Sequence, residues 1–440
     1  MPQRLEIALA PERLSEGSPE ERAAFGLFTI RTTLASLTEG FDSFVNSYRP
    51  GPLVSGYHVA EWFTWNWWRL RWEPKSAARD WDFAHKMTSI GEGYVWPNLT
   101  IFSDGVRTAI ISEPSARPDA KPFRYVGALP TVVPSTVFET AIDTFIPQIL
   151  ERLQTEGAKD SNLALLWSDV ITERNDPEIA KRRRLEAYLG REPEAADDDA
   201  VERLLADAAR LGDAALEEVA ADSAQRLNNG NVPTAATFEH LALTRGHDAS
   251  PRDAAKLDSE HKVARGAEVP AWRLGAQVAQ ALRVQEKIGA STISNERLAQ
   301  MVGTRIATVT DTNTGGTDLS FALDNGPMAS RIVLRSKWEQ GRRFDLARLL
   351  GDRLIDARGA LHPATRASTY RQKAQRAFAA ELLSPFEVVE EMLSGDYSAE
   401  SQQDVAERFN VSYLTIDTLL KNHGRIARGD GVPDFDVLAA

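Results

Sequence analysis

Residues 342–355 read RRFDLARLLGDRLI. Phe344, Ala347, Leu350, Gly351 and Leu354 recur at three- and four-residue intervals, the repeat that lays small and apolar groups along one side of a helix. The stretch predicts a helix over 342–356 with an apolar stripe to bury. Arg348 and Asp352 stand four residues apart on it, opposite charges that are neighbours on a helix surface. On an open surface such a pair contributes only about 0.2–0.5 kcal/mol, and cation before anion is the weaker order.

The neighbouring segments predict helices at 272–288, 294–302 and 366–383, a β-rich patch between the last two, and two short helices near the end. Three stretches carry a recognisable wording: 294-SNERLAQMVG-303, 319-LSFALDNGPMASRIVLRS-336 and 378-FAAELLSP-385. With Arg343-Phe344 leading into Leu346-Ala347 and a glycine at 351, they resemble the ImmA/IrrE family of zinc metallopeptidases. The resemblance covers about residues 270–425, roughly a third of the chain. It implies a zincin-like α+β domain ending in a helix-turn-helix-like piece, and a bacterial or phage setting tied to mobile elements, stress response, phage defence or repressor control.

Where that family carries His, Glu and His of an HExxH helix, this sequence has Arg348, Leu349 and Asp352. A zincin needs two imidazoles one turn apart for one metal, and a carboxylate beside the first as general base. Arginine stays protonated and cannot ligate a cation. Leucine cannot take a proton from water, and Asp352 alone is no zinc site. The further acidic ligand expected about a turn before FAAELL is replaced by Lys373, Ala374, Gln375 and Arg376. The resemblance therefore implies a retained scaffold without catalytic residues, metal or cofactor, in which an Arg348–Asp352 ion pair fills the metal's place.

The seven histidines show no helical i,i+3 or i,i+4 pairing. His58 with Glu61 comes nearest to a ligand pair, and His362 is placed to approach the 342–355 helix; lone histidines are more often structural. A peptidase with relocated ligands, or a hydrolase built around His58, Glu61, His85 and Glu92, is the enzymatic alternative. No G-x-S-x-G elbow and no G-x-x-x-x-G-K-[ST] loop occurs.

Composition sets the wider frame. A chain of 440 residues exceeds one hydrophobic core, and 42% hydrophobic against 26% charged residues is a globular balance. The absence of cysteine excludes disulfides, thiolate metal sites and a cysteine nucleophile. No signal-like or membrane-length apolar run appears, so the expectation is a cytoplasmic protein with no membrane partner.

Residues 1–133 predict an α+β domain, 134–245 a helical and acidic region, 246–269 a linker, and 270–440 the peptidase-like domain. The strands LEIALA, FGLFTIRTT, YVWPNLTIF, VRTAIIS and PFRYVGA fall in the first, with a hairpin turn at Ser103-Asp104-Gly105. Between them 58-HVAEWFTWNWWRLRWEP-74 predicts a helix holding five of the ten tryptophans. Burial preferences favour a core role for these rings. Trp65, Trp68 and Trp72, interleaved with Arg69 and Arg71, keep an aromatic interface open.

The net charge of −12 argues against a chain coated in nucleic acid, but ten arginines crowd residues 331–376. Arg342, Arg343, Arg371 and Arg376 are the candidate contacts to DNA, RNA or an acidic protein partner, and a larger assembly is the further alternative. In 402-QQDVAERFNVSYLTIDTLLKNHG-424 a helix-turn-helix reader would present Ser412, Tyr413, Thr415 and Lys421. The favoured reading is that this piece packs behind the 342–355 helix. The sequence thus points to a non-catalytic binding or regulatory protein.

Overall fold

The computed structural model describes residues 4–76, 78, 80–116, 122–158, 161–195, 198–225, 232–261, 263–356 and 358–427. It divides into two compact units, Met1–Asp197 and Asp198–Ala440, both mixtures of helix and strand.

The first unit runs β1 (Leu5–Pro11), α1 (Pro19–Ala23), β2 (Phe25–Thr32), β3 (Gly40–Asp42), β4 (Ser47–Arg49), β5 (Leu53–Ser55), α2 (Gly56–Trp65), α3 (Trp67–Trp72), α4 (Trp81–His85), β6 (Leu99–Ser103), β7 (Arg107–Ser112), β8 (Phe123–Tyr125), β9 (Pro130–Pro134), α5 (Ser135–Thr155), α6 (Asn162–Asn175) and α7 (Pro177–Tyr188). Three small antiparallel sheets, β1-β2-β5, β4-β3-β8 and β6-β7-β9, build its β layer. The predicted hairpin joins β6 to β7: Gly105 takes φ +93, and the Asp104 amide donates to the Arg107 carbonyl at 3.0 Å. Phe28, Phe63, Phe138 and Phe145 are almost sealed from solvent and meet edge to face.

The tryptophan-rich segment bends at Asn66 into two helices rather than one. Trp62, Trp67 and Trp68 are core residues. Trp68 also donates its Nε1 to Glu173 at 2.7 Å, which takes it out of any interface. Trp72 is half-buried beneath Arg71 and Arg184, while Trp65 lies exposed. Arg69 and Arg71 are buried among carboxylates, so the interleaved arginines do not form a stacking surface.

The second unit runs α8 (Asp198–Leu211), α9 (Asp213–Gln225), α10 (Ala235–Arg245), β10 (His247–Ala249), α11 (Ala271–Gln285), α12 (Asn295–Val302), α13 (Ala307–Thr310), β11 (Ser320–Asp324), β12 (Ser330–Val333), α14 (Glu339–Ile355), β13 (Leu361–Ala364), α15 (Tyr370–Leu383), α16 (Phe386–Leu393), α17 (Ala399–Phe409) and α18 (Tyr413–Asn422). Its antiparallel sheet has the order β10-β12-β11-β13. Side chains alternate across it with the two-residue period of a strand. Ala322, Ile332 and Ala364 join the core under α14 and α15, whereas Phe321, Val333 and Leu361 join α8, α9 and α10. Phe238 of α10 packs edge-on to Phe321 with centroids 5.0 Å apart.

That two-faced sheet changes the expected domain plan. The 134–245 region is not one block: α5 to α7 belong to the first unit and α8 to α10 cover a sheet face of the second. The 246–269 stretch is not a plain linker either, because His247–Ala249 supplies the edge strand β10. Within the 134–245 region the acidic, alanine-rich stretch forms two helices, α8 and α9, parted at Gly212 with φ +103. A sheet with two apolar faces must have both covered, which a three-residue strand signal in a charged segment does not announce.

α11 and α15 pack backbone to backbone. A Cβ on Gly275 would lie 2.2 Å from the Ala374 carbonyl oxygen, so only glycine permits this approach. At the end of the unit, α17 and α18 are joined through Asn410 in the left-handed conformation. Phe409, Ile416, Leu419 and Leu420 bury this pair in the same core as α14 and α15.

Candidate functional site

α14 delivers Arg348, Leu349 and Asp352 to the interior, not to a cleft. Leu349 is a core residue, Arg348 is 3% exposed and Asp352 is sealed. The expected Arg348–Asp352 pair is not formed. Asp352 instead receives a two-pronged contact from Arg371 of α15, Nε to Oδ1 at 2.7 Å and a terminal nitrogen to Oδ2 at 2.6 Å. Gln375 Nε2 adds a donor at 2.6 Å and His362 Nδ1 of β13 another at 2.9 Å. Four donors thus converge on one carboxylate, with the planar fork of Arg371 matched to its two oxygens.

Arg348 turns the other way. It donates to the Thr365 carbonyl and to Gln372 Oε1, both at 2.6 Å, and lies 3.7 Å from Asp345. Gln372 passes the chain on, accepting from the Thr365 amide and donating to the Pro363 carbonyl. A tertiary donor set on α15 and β13 outcompetes the local i,i+4 contact because it satisfies every lone pair of a carboxylate that has lost its water.

The charge states follow from these contacts. Burial acts to raise the Asp352 pKa, but the Arg371 charge and the hydrogen bonds from Arg371 and His362 hold it down at about 2. Burial acts to lower the His362 pKa, yet both ring nitrogens face carboxylates, Asp352 and Asp324 at 3.4 Å, and the balance is raised. Glu218 of α9 accepts from the Thr369 hydroxyl at 2.6 Å, and burial pushes its pKa up to about 7 despite the Arg371 charge.

Four arginines of the stretch, Arg342, Arg343, Arg348 and Arg371, are turned inward. Arg342 is fully buried and donates to the carbonyls of Thr308, Val309 and Ser336. Arg343 bonds Asn295 and the Ile293 carbonyl, and Arg371 holds Asp352. These three are corrections to the expected polyanion surface: a guanidinium has five donors and serves as well to satisfy interior carbonyls as to meet a ligand. Arg376 is half-buried, Tyr413 half-buried, Thr415 buried, and Lys421 pairs with Asp417 at 2.6 Å.

Beside the network, not within it, a pocket of about 350 Å³ opens between α14, α15 and α18, reached by Arg335, Lys373 and Arg376. From the sequence Arg376 is a candidate contact, Arg335 counts only as one of the ten arginines in 331–376, and Lys373 only as one of the residues in place of an acidic ligand. Gln372 and Glu218 are not singled out there. The available signal was the polar run 371-RQKAQR-376 inside a helix otherwise rich in Ala, Phe and Leu.

In the first unit, His58 stands between Glu21 at 3.4 Å and Glu61 at 3.9 Å. Tyr94 donates to Glu21 and Tyr57 to Glu61. His85 is not part of this cluster: its ring nitrogens meet the Ile101 carbonyl at 2.7 Å and Glu73 at 3.0 Å, in a buried network with Arg69. Among the described residues no group of three or more histidine, aspartate and glutamate side chains is arranged to hold a metal, and no helix is long and apolar enough to cross a membrane.

Compared with protein-family models, with curated proteins and with solved structures, the chain matches none.

Proposed function

We propose that this chain is a non-catalytic regulatory protein whose second unit keeps an ImmA/IrrE-like, zincin-type scaffold as a binding module. The observation that carries the reading is the Asp352 network. At the positions where the resembled family would present His, Glu and His, this chain presents Arg348, Leu349 and Asp352, each committed to the protein's own interior. Such a centre offers no lone pair to a metal and no base to water.

The working context is that of the resembled family: a cytoplasmic protein of bacterial or phage origin, with a protein or nucleic-acid partner in mobile-element function, stress response, phage defence or repressor control. Recognition falls to the surface around Arg335 and Arg376, since Arg342, Arg343, Arg348 and Arg371 are spent internally. Hydrolysis of a mixed peptide library, with and without added zinc, tests the reading. No turnover above background is expected; turnover lost on Arg348→Ala or Asp352→Ala would overturn it. The competing enzymatic reading rests on the solvent-reached trio of His58, Glu21 and Glu61, and would show as a hydrolase activity lost on His58→Ala alone.

A further inference from the structure

β1 lies at the end of its sheet, with β2 on one side and no strand on the other among the described residues. Its register with β2, and the bond from the Glu12 amide to the Phe25 carbonyl at 3.0 Å, assign the ladder to Glu6, Ala8 and Ala10. Leu5, Ile7 and Leu9 therefore turn their amides and carbonyls to the free edge, where no hydrogen bond meets them among the described residues. An open row of this kind is a template for one more strand.

α5 forms the other wall of a groove along that edge. A cavity of about 790 Å³ lies between Arg4–Ala8 and the first half of α5, and a second of about 280 Å³ continues it from Leu9 and Pro11 along the second half; Gln148 lines both. The α5 wall is two rows at four-residue spacing, each a line of helix neighbours. Val137, Ala141, Phe145 and Ile149 form an apolar floor continuous with the core. Thr136, Thr140, Thr144 and Gln148 form an exposed, uncharged rim. We propose that this groove binds an extended, uncharged peptide segment of a partner protein, added to the sheet as a fourth strand beside β1, with small aliphatic side chains at alternate positions lying over Val137 and Ala141.

Shape, main chain and charge select this occupant. The seven residues of β1 span about 23 Å, and the two cavities follow the strand over that length, which suits an extended chain better than a compact ligand. Bare amides and carbonyls are met by another main chain, and alternate side chains then supply the selectivity. The charged residues lining the groove are two of each sign, Arg4 with Glu6 at one end and Arg152 with Glu151 at the other, so a neutral segment complements it. Arg152 Nε is sealed from solvent and has no hydrogen-bond partner, a donor that a peptide carbonyl would satisfy. A second copy paired edge to edge would set one threonine rim against another, with little apolar surface to bury. The inference concerns the first unit and stands apart from the non-catalytic reading of the second.

Fluorescence-polarisation screening of the full chain against a panel of end-capped octapeptides, in which Ala, Val or Leu alternates with Ser, Thr or Gln, tests the proposal. Binding at a Kd of about 1 mM or tighter is expected. Residue-resolved amide hydrogen exchange should slow at Ile7 and Leu9 on binding and stay unchanged at Glu6, Ala8 and Ala10, whose amides already serve the ladder. Leu9→Pro removes one edge amide without touching the ladder and should weaken binding about three- to ten-fold, the loss of one main-chain hydrogen bond. Thr140→Arg, at an exposed rim position that leaves the core untouched, should abolish it. Thr172→Arg on α6, an exposed threonine with the same hydroxyl bond to its helix carbonyl but outside the groove, should bind as the parent does. No binder in the panel, binding with unchanged exchange at Ile7 and Leu9, indifference to Thr140→Arg, or a dimer in sedimentation that Thr140→Arg dissociates would each overturn it.

Discussion

Replacing Asp352 by asparagine keeps its shape and removes its charge, and the loss can be estimated from what the carboxylate now holds. Its pKa falls from an ordinary 3.8 to about 2 after the opposing effect of burial is included. At about 1.36 kcal/mol per pH unit, that makes the charged form worth roughly 2 kcal/mol over a neutral one. Asparagine does worse than a protonated acid, since its NH₂ must face donors from Arg371, Gln375 or His362. Arg371 would also be left charged and buried, a situation that costs about 3–5 kcal/mol when one member of a buried pair is removed. The expected loss for Asp352→Asn is therefore about 3–4 kcal/mol, read from urea unfolding followed by circular dichroism. Asp352→Leu combined with Arg371→Met should recover much of it, because an apolar pair of similar volume leaves no orphan charge. The sign with pH is fixed: a depressed carboxylate stabilises fully above its unfolded value of 3.8, and the contribution disappears as pH falls toward 2. A loss under about 1 kcal/mol, the scale of a solvent-exposed pair, would refute the reasoning.

Three other expectations follow from the same packing. Glu218 has a folded pKa raised from 4.5 to about 7, so the native state holds a proton the unfolded chain has released, and stability declines as pH rises between those values. Glu218→Gln should remove that slope and stabilise the protein at pH 8 relative to pH 5 by up to roughly 3 kcal/mol, measured by urea unfolding at both. Gly275→Ala forces backbone apart between α11 and α15 and should cost about 2 kcal/mol or more by the same assay; an unchanged midpoint would mean the helices are not in backbone contact. A fragment starting at residue 198 should fold by itself, whereas one starting at 246 should not, since it bares Phe321, Val333 and Leu361 on the uncovered sheet face; one-dimensional NMR dispersion distinguishes the two.

The elements with strong periodicity were legible in the sequence. The stripe of Phe344, Ala347, Leu350 and Leu354 locates α14, the Asn410-Val411-Ser412 turn separates α17 from α18, and Ser103-Asp104-Gly105 makes its hairpin. What escaped depended on distant residues. β10 is three residues long and its sequence His-Asp-Ala carries no strand preference; only its partner β12 makes it a strand. The helix neighbours Arg348 and Asp352 form a pair on paper, but Arg371 and Gln375, one helix away, offer Asp352 better geometry. Arginine count overstated basic surface for a related reason: whether a guanidinium faces solvent or a carbonyl is decided by packing, and for Arg342 it is three carbonyls. Gln372 shows the converse, an unremarkable residue that becomes the link between Arg348 and the Thr365–Pro363 backbone.

The proposed function requires that side chains alone, with no metal, hold the heart of the second unit together. Elemental analysis of the chain purified without chelator tests it most directly. Less than about a tenth of an equivalent of zinc or any other transition metal is predicted for a folded protein, because Arg348, Leu349 and an Asp352 already bound by four donors provide no ligand set. Close to one equivalent per chain, lost together with stability on Asp352→Asn or on His362→Gln, would contradict the account.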